Sequence, residues 1–134
     1  MATDGLTTLP SKFGPDETLT RLEAAVTAKG MAVFARIDHA AGAAEVGLSL
    51  APTTLLIFGA ARGGTPLMLA DQTVGIDLPL KALVWRGGSG RTWLSYDDPA
   101  WIARRHGLGA EAEPVTSAMA KALSSVAAEA CGAG

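Results

Sequence analysis

The sequence predicts an α+β domain in which helices pack on one face of a mostly antiparallel sheet. The apolar patterns occur in the order strand, helix, two strands, a hairpin and a long final helix. Strands that are adjacent in sequence usually neighbour in space, which favours antiparallel pairing where connections are short. In addition, 49% of the 134 residues are hydrophobic, enough to build one core without disulfide bonds.

Proline and glycine mark the first strand and the first helix. Residues 6–9 form a short strand that Pro10 ends. Pro15 suits the first position of a helix, where its missing N–H has no partner to lose. Gly30 ends this helix, because glycine tolerates a positive φ. The apolar face of the helix consists of Leu19, Leu22, Ala25 and Val26.

Two further strands follow. Residues 31–37 alternate as a strand, and Asp38 is a suitable N-cap for a short helix that runs to about Val46. Residues 53–58 are apolar on both faces, which predicts a strand in the interior of the sheet.

A glycine-rich stretch then separates this strand from the hairpin. Residues 59–64 are expected to be a loop, after which Thr65-Pro66 starts one or two helical turns over residues 67–70. The segment Arg62-Gly63-Gly64-Thr65 is a candidate anion site, because glycines let backbone N–H groups approach a ligand closely. The alternative is a tight turn followed by a capped helix, and no Walker motif follows.

A hairpin and a long helix complete the chain. Residues 80–86 and 91–96 flank a glycine-rich tip, which is typical of two paired strands. Asp98-Pro99 starts a short helix that ends before Gly107. Residues 111–130 are the longest helical pattern. Its buried face is expected to comprise Val115, Met119, Ala122, Leu123, Val126 and Ala130.

Length and charge limit the classes of function. We expect one domain over residues 1–134, with an ordered core at about 6–130 and short tails. The net charge of −2 gives no general attraction to nucleic acid or to anionic membranes. Residues 1–5 lack a secretory signal pattern, and no apolar run approaches the roughly 20 residues that span a bilayer. These features favour a cytoplasmic protein.

Cys131 is the single cysteine, so no internal disulfide bond forms and the composition fits a reducing compartment. We interpret it as a small filler near a frayed C-terminus. A redox thiol would need a basic neighbourhood that lowers its pKa, and none is visible nearby in the sequence.

Several short motifs, taken together, resemble the domain-of-unknown-function 302 family, and the resemblance runs from about Leu6 into the final helix. In chain order they are Ile37-Asp38-His39-Ala40-Ala41, Gly63-Gly64-Thr65-Pro66-Leu67-Met68, Gly75-Ile76-Asp77-Leu78-Pro79-Leu80-Lys81, Val84-Trp85, Trp93-Leu94-Ser95-Tyr96, Asp98-Pro99 and Arg105-His106-Gly107-Leu108. The resemblance implies a β-α-β4-α domain, similar to TBP-like and helix-grip folds, with the long C-terminal helix on a curved sheet. It also implies a homodimer. It implies no reaction and no cofactor.

Two segments depart from the family pattern. The family loop before Gly-Thr-Pro usually resembles Phe-Gly-Asn-Pro, whereas this chain has Phe58-Gly59-Ala60-Ala61, so any role of the amide is lost. The family segment after Val-Trp is usually acidic, whereas here it is Arg86-Gly87, which argues against an acidic metal or proton-transfer site at that place.

Two histidines are candidates for acid–base chemistry. His39 follows a strand end, where a base or ligand is well placed, although it could equally cap the next helix. His106 ends a short helix, where a histidine also favours the negative end of the dipole. No His-x-x-His or Cys-x-x-Cys spacing occurs, so we predict no metal site, and a histidine pair shared across a dimer is the alternative.

Asp77 and Lys81 flank a proline, so they are not a pair on one helix face. Lys81 enters an otherwise apolar strand, and we expect it either to reach outward or to pair with an acid such as Asp77. A partly buried lysine could also bind a carboxylate or carbonyl group of a ligand.

Aromatic residues are few and are concentrated in the hairpin region. Trp85 and Trp93 lie on its two arms and are expected to face each other. Together with Tyr96 and Trp101 they suit either core and interface packing or a cavity wall. Asp98, beside Asp97, is best explained as the cap before a helix.

The expected function is that of a non-catalytic homodimer that holds a small, partly apolar ligand between the sheet and the long helix. Trp85 would supply a wall of this pocket. The expected polar rim consists of His39, Thr65, Asp77, Lys81, Tyr96 and His106. One alternative is a small enzyme that uses His39 or His106 as acid or base near Lys81. Another is a structural or partner-binding dimer.

Overall fold

A five-stranded, fully antiparallel sheet forms the centre of the molecule, and its strand order is β1-β5-β4-β3-β2. The computed structural model describes residues 3–133. Met1 and Ala2, which belong to the segment considered for a targeting signal, and Gly134 lie outside this range. The strands are β1 (Leu6–Pro10), β2 (Ala32–Asp38), β3 (Thr53–Gly59), β4 (Leu80–Arg86) and β5 (Thr92–Asp97). The predicted α+β class is confirmed.

Five α-helices connect and cover these strands. They are α1 (Pro15–Ala28), α2 (His39–Glu45), α3 (Ala61–Ala70), α4 (Pro99–Arg105) and α5 (Glu113–Cys131). Two short 3-10 helices lie at Gln72–Ile76 and Ala110–Ala112. The side chain of Asp38 accepts a hydrogen bond from the Ala41 N–H, 2.9 Å away, as expected of the cap of α2.

The core lies between α1, α5 and one face of the sheet. Alternate residues of the three inner-sheet strands point toward these helices, and the fully buried ones are Leu56, Phe58, Ala82, Val84 and Leu94. From the helices, Leu22 and Val26 meet Val126 and Ala130, and none of the four is more than 1% exposed. Each such aliphatic side chain stabilises the fold by about 1.5–3 kcal/mol through burial.

The opposite face of the sheet is also apolar but is not fully buried. It carries Ile37, Leu55, Ile57, Leu83, Trp85 and Trp93, all half-buried or exposed. The rings of Trp85 and Trp93 stack across the hairpin with centroids 6.1 Å apart, as the sequence predicts. The Trp85 Nε1–H donates a hydrogen bond to Ser95 Oγ at 3.0 Å.

The remaining elements are divided between the two ends of the sheet. The cavity end is the end at which Phe58 pairs with Leu80, and α3, α4 and the Gln72–Ile76 helix lie beyond it. The hairpin end is the end at which Thr53 pairs with Trp85, and α2 starts there.

Two local predictions were wrong. Residues 59–64 are not a loop and Thr65 is not a cap, because α3 already begins at Ala61 and contains Pro66. Burial of Leu67, only 2% exposed, outweighs the low helix propensity of the two glycines and the proline. The C-terminus is also not frayed. Cys131 is completely buried, and its carbonyl accepts a hydrogen bond from the Lys12 N–H at 3.0 Å.

Within residues 3–133, no helix combines the length and the hydropathy that crossing a membrane requires.

Candidate functional site

A cavity of about 600 Å³ opens at the cavity end of the sheet, between α3 and the first half of α5. This volume falls in the range of about 300–1,000 Å³ that is usual for small-molecule sites. Its walls also include the strand ends near Phe34 and Gly59, together with Gly75 and residues 78–80. Arg62 is the only charged residue that lines it in the described part of the chain.

Small residues create this space. The volume is lined by Gly63 of α3 and by Ala118 and Ala122 of α5, where larger side chains would fill it. A Cβ atom on Gly63 would meet only the Met119 methyl, at 3.9 Å. Three of the four methionines, Met31, Met68 and Met119, line the cavity, and their flexible side chains adapt to ligands of different shape.

A second cluster, the Asp77 network, lies beside the cavity. The Asp77 carboxylate accepts hydrogen bonds from Arg105 Nη1, at 2.7 and 2.8 Å, and from His106 Nε2 at 2.5 Å. Asp77 lies between Gly75 and Leu78, which both line the cavity. The network therefore attaches α4 to the segment that forms one cavity wall.

The network continues from the other nitrogen of the same imidazole. His106 Nδ1 lies 2.9 Å from Thr73 Oγ1, which in turn donates to Asp71 Oδ1 at 2.7 Å. Because Thr73 has one hydroxyl hydrogen, it must accept from Nδ1 whenever it donates to Asp71. The imidazole thus contacts the Asp77 carboxylate directly and is linked to the Asp71 carboxylate through Thr73.

Both carboxyl groups are stabilised in the ionised form. Burial alone would raise the pKa of Asp77, but the hydrogen bond from His106 and the nearby Arg105 charge outweigh it and lower the pKa. Hydrogen bonds from the Thr73 hydroxyl and backbone N–H lower the pKa of Asp71. The network therefore joins these two acids to Arg105 and His106.

Lys81 does not pair with the Asp77 carboxylate. Its Nζ donates instead to the backbone carbonyls of Asp77 and Pro79, at 3.2 and 3.1 Å. The carboxylate is already occupied by Arg105 and His106, so the ammonium stabilises the bend through the main chain. The structure thus brings together Asp77, Lys81 and His106 from the expected rim.

The other expected rim residues lie elsewhere. His39 is exposed at the start of α2, at the hairpin end, separated from His106 by the length of β3, or roughly 20 Å. Trp85 is on the incompletely buried sheet face, and Thr65 is exposed on α3. Tyr96 packs against the core, and burial raises the pKa of its hydroxyl. None of the seven residues expected to bind the ligand lines the cavity.

Of the candidate anion site, Arg62, Gly63 and Gly64 do line the cavity. They belong to the first turn of α3 rather than to a loop. Sequence reasoning missed the partners Thr73 and Arg105, because contacts between distant segments leave no local pattern. The only available signal was that Asp77 and Arg105 both fall within the family motifs.

Both ring nitrogens of His106 are hydrogen-bonded, so a reacting group would have to displace Asp77 or Thr73. His39 is too far away to act together with Lys81. Among residues 3–133, no group of three or more His, Cys, Asp or Glu side chains is arranged to hold a metal ion.

Comparison with known proteins identifies related sequences and solved structures. A family model described as "Domain of unknown function DUF302" matches residues 7–126. A crystal structure of an uncharacterised conserved DUF302 protein from Bacillus stearothermophilus superposes with a TM-score of 0.84. It covers 96% of this chain and 99% of that one at 20% identity, so this likeness concerns the fold alone.

Curated proteins from Brucella are closer in sequence. The chain is 49% identical over 115 residues to proteins named "Fluoride-specific ion channel FluC 1" of Brucella suis and Brucella abortus. The match covers 86% of this chain but only 45% and 43% of those proteins. The chain therefore spans less than half of the length of these relatives.

Proposed function

The chain belongs to the DUF302 family, and for it we propose the binding of a small, largely apolar molecule in the cavity between α3 and α5. The observation that carries this proposal is a space of about 600 Å³ whose lining is apolar except for Arg62. An apolar lining of this extent that faces water is unfavourable, because apolar atoms gain free energy from contacts that exclude water. A ligand would supply those contacts.

Cavity-filling variants test this proposal. We expect decanol, an uncharged aliphatic probe, to raise the melting temperature of the wild-type chain by preferential binding to the folded state. Ala122→Leu places a larger side chain in the cavity and should remove most of that shift. Ser117→Leu is the matched control, because Ser117 is exposed on the same helix and does not line the cavity.

The proposal fails if no aliphatic or aromatic probe shifts the melting temperature of the wild-type chain. It fails equally if Ala122→Leu and Ser117→Leu leave the decanol-induced shift unchanged, since decanol would then bind outside the cavity.

We also propose that the chain forms a homodimer through the incompletely buried sheet face. This face presents Ile37, Leu55, Ile57 and Leu83 beside the stacked Trp85 and Trp93. Aliphatic and aromatic residues of this kind are typical of homodimer interfaces. Sedimentation velocity should give a dimer for the wild type and a monomer for Leu83→Lys. A monomeric wild type at high micromolar concentration would exclude the proposal.

A second candidate function rests on the sequence relatives. Proteins named as fluoride channels contain a segment that is 49% identical to this chain. More than half of the length of each of those proteins lies outside this segment. We propose that this domain associates with such a channel. Affinity purification of the tagged chain in mild detergent, with a fluoride channel from the same host co-expressed, tests this. The absence of the channel from the eluate, while it is present in the membrane fraction, contradicts it.

A further inference from the structure

We infer that the ligand of this cavity is an aliphatic carboxylate, whose head group binds Arg62 and whose tail occupies the apolar interior. This inference rests on the proposed function, since it names the chemical class that the same cavity takes. It follows from the charges at the mouth of the cavity and from the shape and polarity of its walls.

Among the described residues, the one charged side chain that lines the cavity is positive. Arg62 lines it, and within the described residues no acidic side chain does. Three of the other six arginines have carboxylate partners: Arg21 pairs with Glu17, Arg36 with Glu23 and Arg105 with Asp77. Arg62 makes no ion pair and no side-chain hydrogen bond within residues 3–133, so its guanidinium is available to a ligand.

A guanidinium matches a carboxylate in shape as well as in charge. It offers parallel N–H donors that bind both oxygens of a carboxylate at once. Arg62 lies in the first turn of α3, where the helix dipole adds a weaker attraction for negative charge. A single arginine suits a monovalent head group better than a multiply charged phosphate.

The walls away from Arg62 require an aliphatic tail. The rest of the lining includes Leu78, Leu80 and Met119. These groups offer no hydrogen-bonding side chain to a polar ligand, and burying a polar group against them would be unfavourable. Each methylene that enters such a space should strengthen binding by about fourfold.

Three probes with equal tails and different head groups test the inference by calorimetric titration: decanoate, decanol and decylamine. We expect the wild-type chain to bind decanoate about threefold to tenfold more tightly than decanol, because the guanidinium is partly exposed to solvent. Decylamine, whose charge is repelled by Arg62, should bind most weakly. Octanoate should bind more weakly than decanoate if the tail enters the cavity.

Two arginine variants complete the experiment. Arg62→Gln should reduce the affinity for decanoate to that for decanol and leave decanol binding unchanged. Arg104→Gln is the matched control: it removes an exposed arginine that does not line the cavity, and it should leave all affinities unchanged.

The outcomes separate the two proposals. If decanol and decanoate bind equally well and Arg62→Gln changes neither, the carboxylate inference is wrong while the apolar cavity site stands. If neither probe binds, both are wrong. Equal losses in Arg62→Gln and Arg104→Gln would also overturn the inference, because net charge rather than contact with Arg62 would then be responsible.

Discussion

The two halves of α5 are similarly rich in alanine but have different surroundings. The packed half, residues 123–131, buries Leu123, Val126 and Ala130 against α1 and the sheet, and none is more than 1% exposed. The cavity half, residues 114–122, faces α3 across the open volume. Alanine is frequent in both halves. The apolar pattern of a helix therefore identifies the face turned inward but does not reveal whether anything fills the space opposite it.

What differs is the partner helix. In the packed half, α1 presents leucine and valine, which reach the surface of α5 and exclude water. In the cavity half, α3 presents Gly63, which has no side chain to reach across. Small residues on both helices, a glycine on α3 and alanines on α5, thus leave a cavity where a packed core would otherwise form.

Large-to-small substitutions should give the largest difference in the free energy of unfolding between the two halves of α5. Leu123→Ala should lower the free energy of unfolding by about 2–5 kcal/mol, because it opens a new void in a filled region. Met119→Ala, one turn away, should cost less than about 2 kcal/mol, because Met119 already borders open space. Urea unfolding of the two variants measures both values, and equal losses would contradict the comparison.

Small-to-large substitutions should destabilise the packed half but not the cavity half. Ala127→Leu inserts a side chain where Ala127 is only 2% exposed, and overpacking should destabilise the fold by about 1–3 kcal/mol. Ala122→Leu enters the cavity and should be neutral or stabilising by up to about 1 kcal/mol. Thermal unfolding of both variants decides; strong destabilisation by Ala122→Leu would mean that the space is not available.

Glycine-to-alanine changes sharpen the contrast on a smaller scale. Gly132, which caps the packed half, has φ +76° and lies against the Phe13 ring, so Gly132→Ala should cost about 1–2 kcal/mol. Gly63→Ala should instead stabilise α3 by about 0.5–1 kcal/mol, because the added methyl meets only Met119. The two melting temperatures should move in opposite directions, and a common direction would refute this reading.

The Asp77 network outside the cavity wall should give the smallest effect, and one that depends on pH. Because folding lowers the pKa of Asp77, its contribution is fully present above the unfolded value of about 3.9 and is lost as pH falls through the folded value. Asp77→Asn should therefore be less stable than the wild type by about 1 kcal/mol at pH 7. The difference should shrink toward pH 3.

Urea midpoints at the two pH values measure this difference. Asp4→Asn is the control, since Asp4 is exposed and forms no ion pair in the described chain. If the wild type is more stable than Asp77→Asn by the same amount at both pH values, the ionised Asp77 network is not the cause of the stability difference.

Much of the fold was predictable because it depends on local patterns. The hairpin was confirmed within one residue at each strand end, and Asp38 caps α2 as its side-chain chemistry suggests. The start of α3 was not predictable, because glycine and proline signal a loop locally and only the burial of Leu67 reveals the helix.

The site was predicted less well, for a related reason. Polar residue types drew attention to His39, Thr65, Trp85 and Tyr96, which the fold places apart from the cavity. The actual cavity is formed by glycines, alanines and methionines, whose side chains give no chemical signal in a sequence. Of the residues predicted to form a site, only Arg62, Gly63 and Gly64 line the cavity. They were predicted as part of an anion-binding loop.

The central claim is that a ligand enters the cavity between α3 and α5, and methyl NMR of methionine-labelled protein tests it most directly. Met31, Met68 and Met119 line the cavity, whereas the indoles of Trp85 and Trp93 report on the opposite sheet face. Titration with decanoate should shift the three methyl signals together and leave both indole N–H signals in place. Indole shifts with unchanged methyl signals would contradict the account.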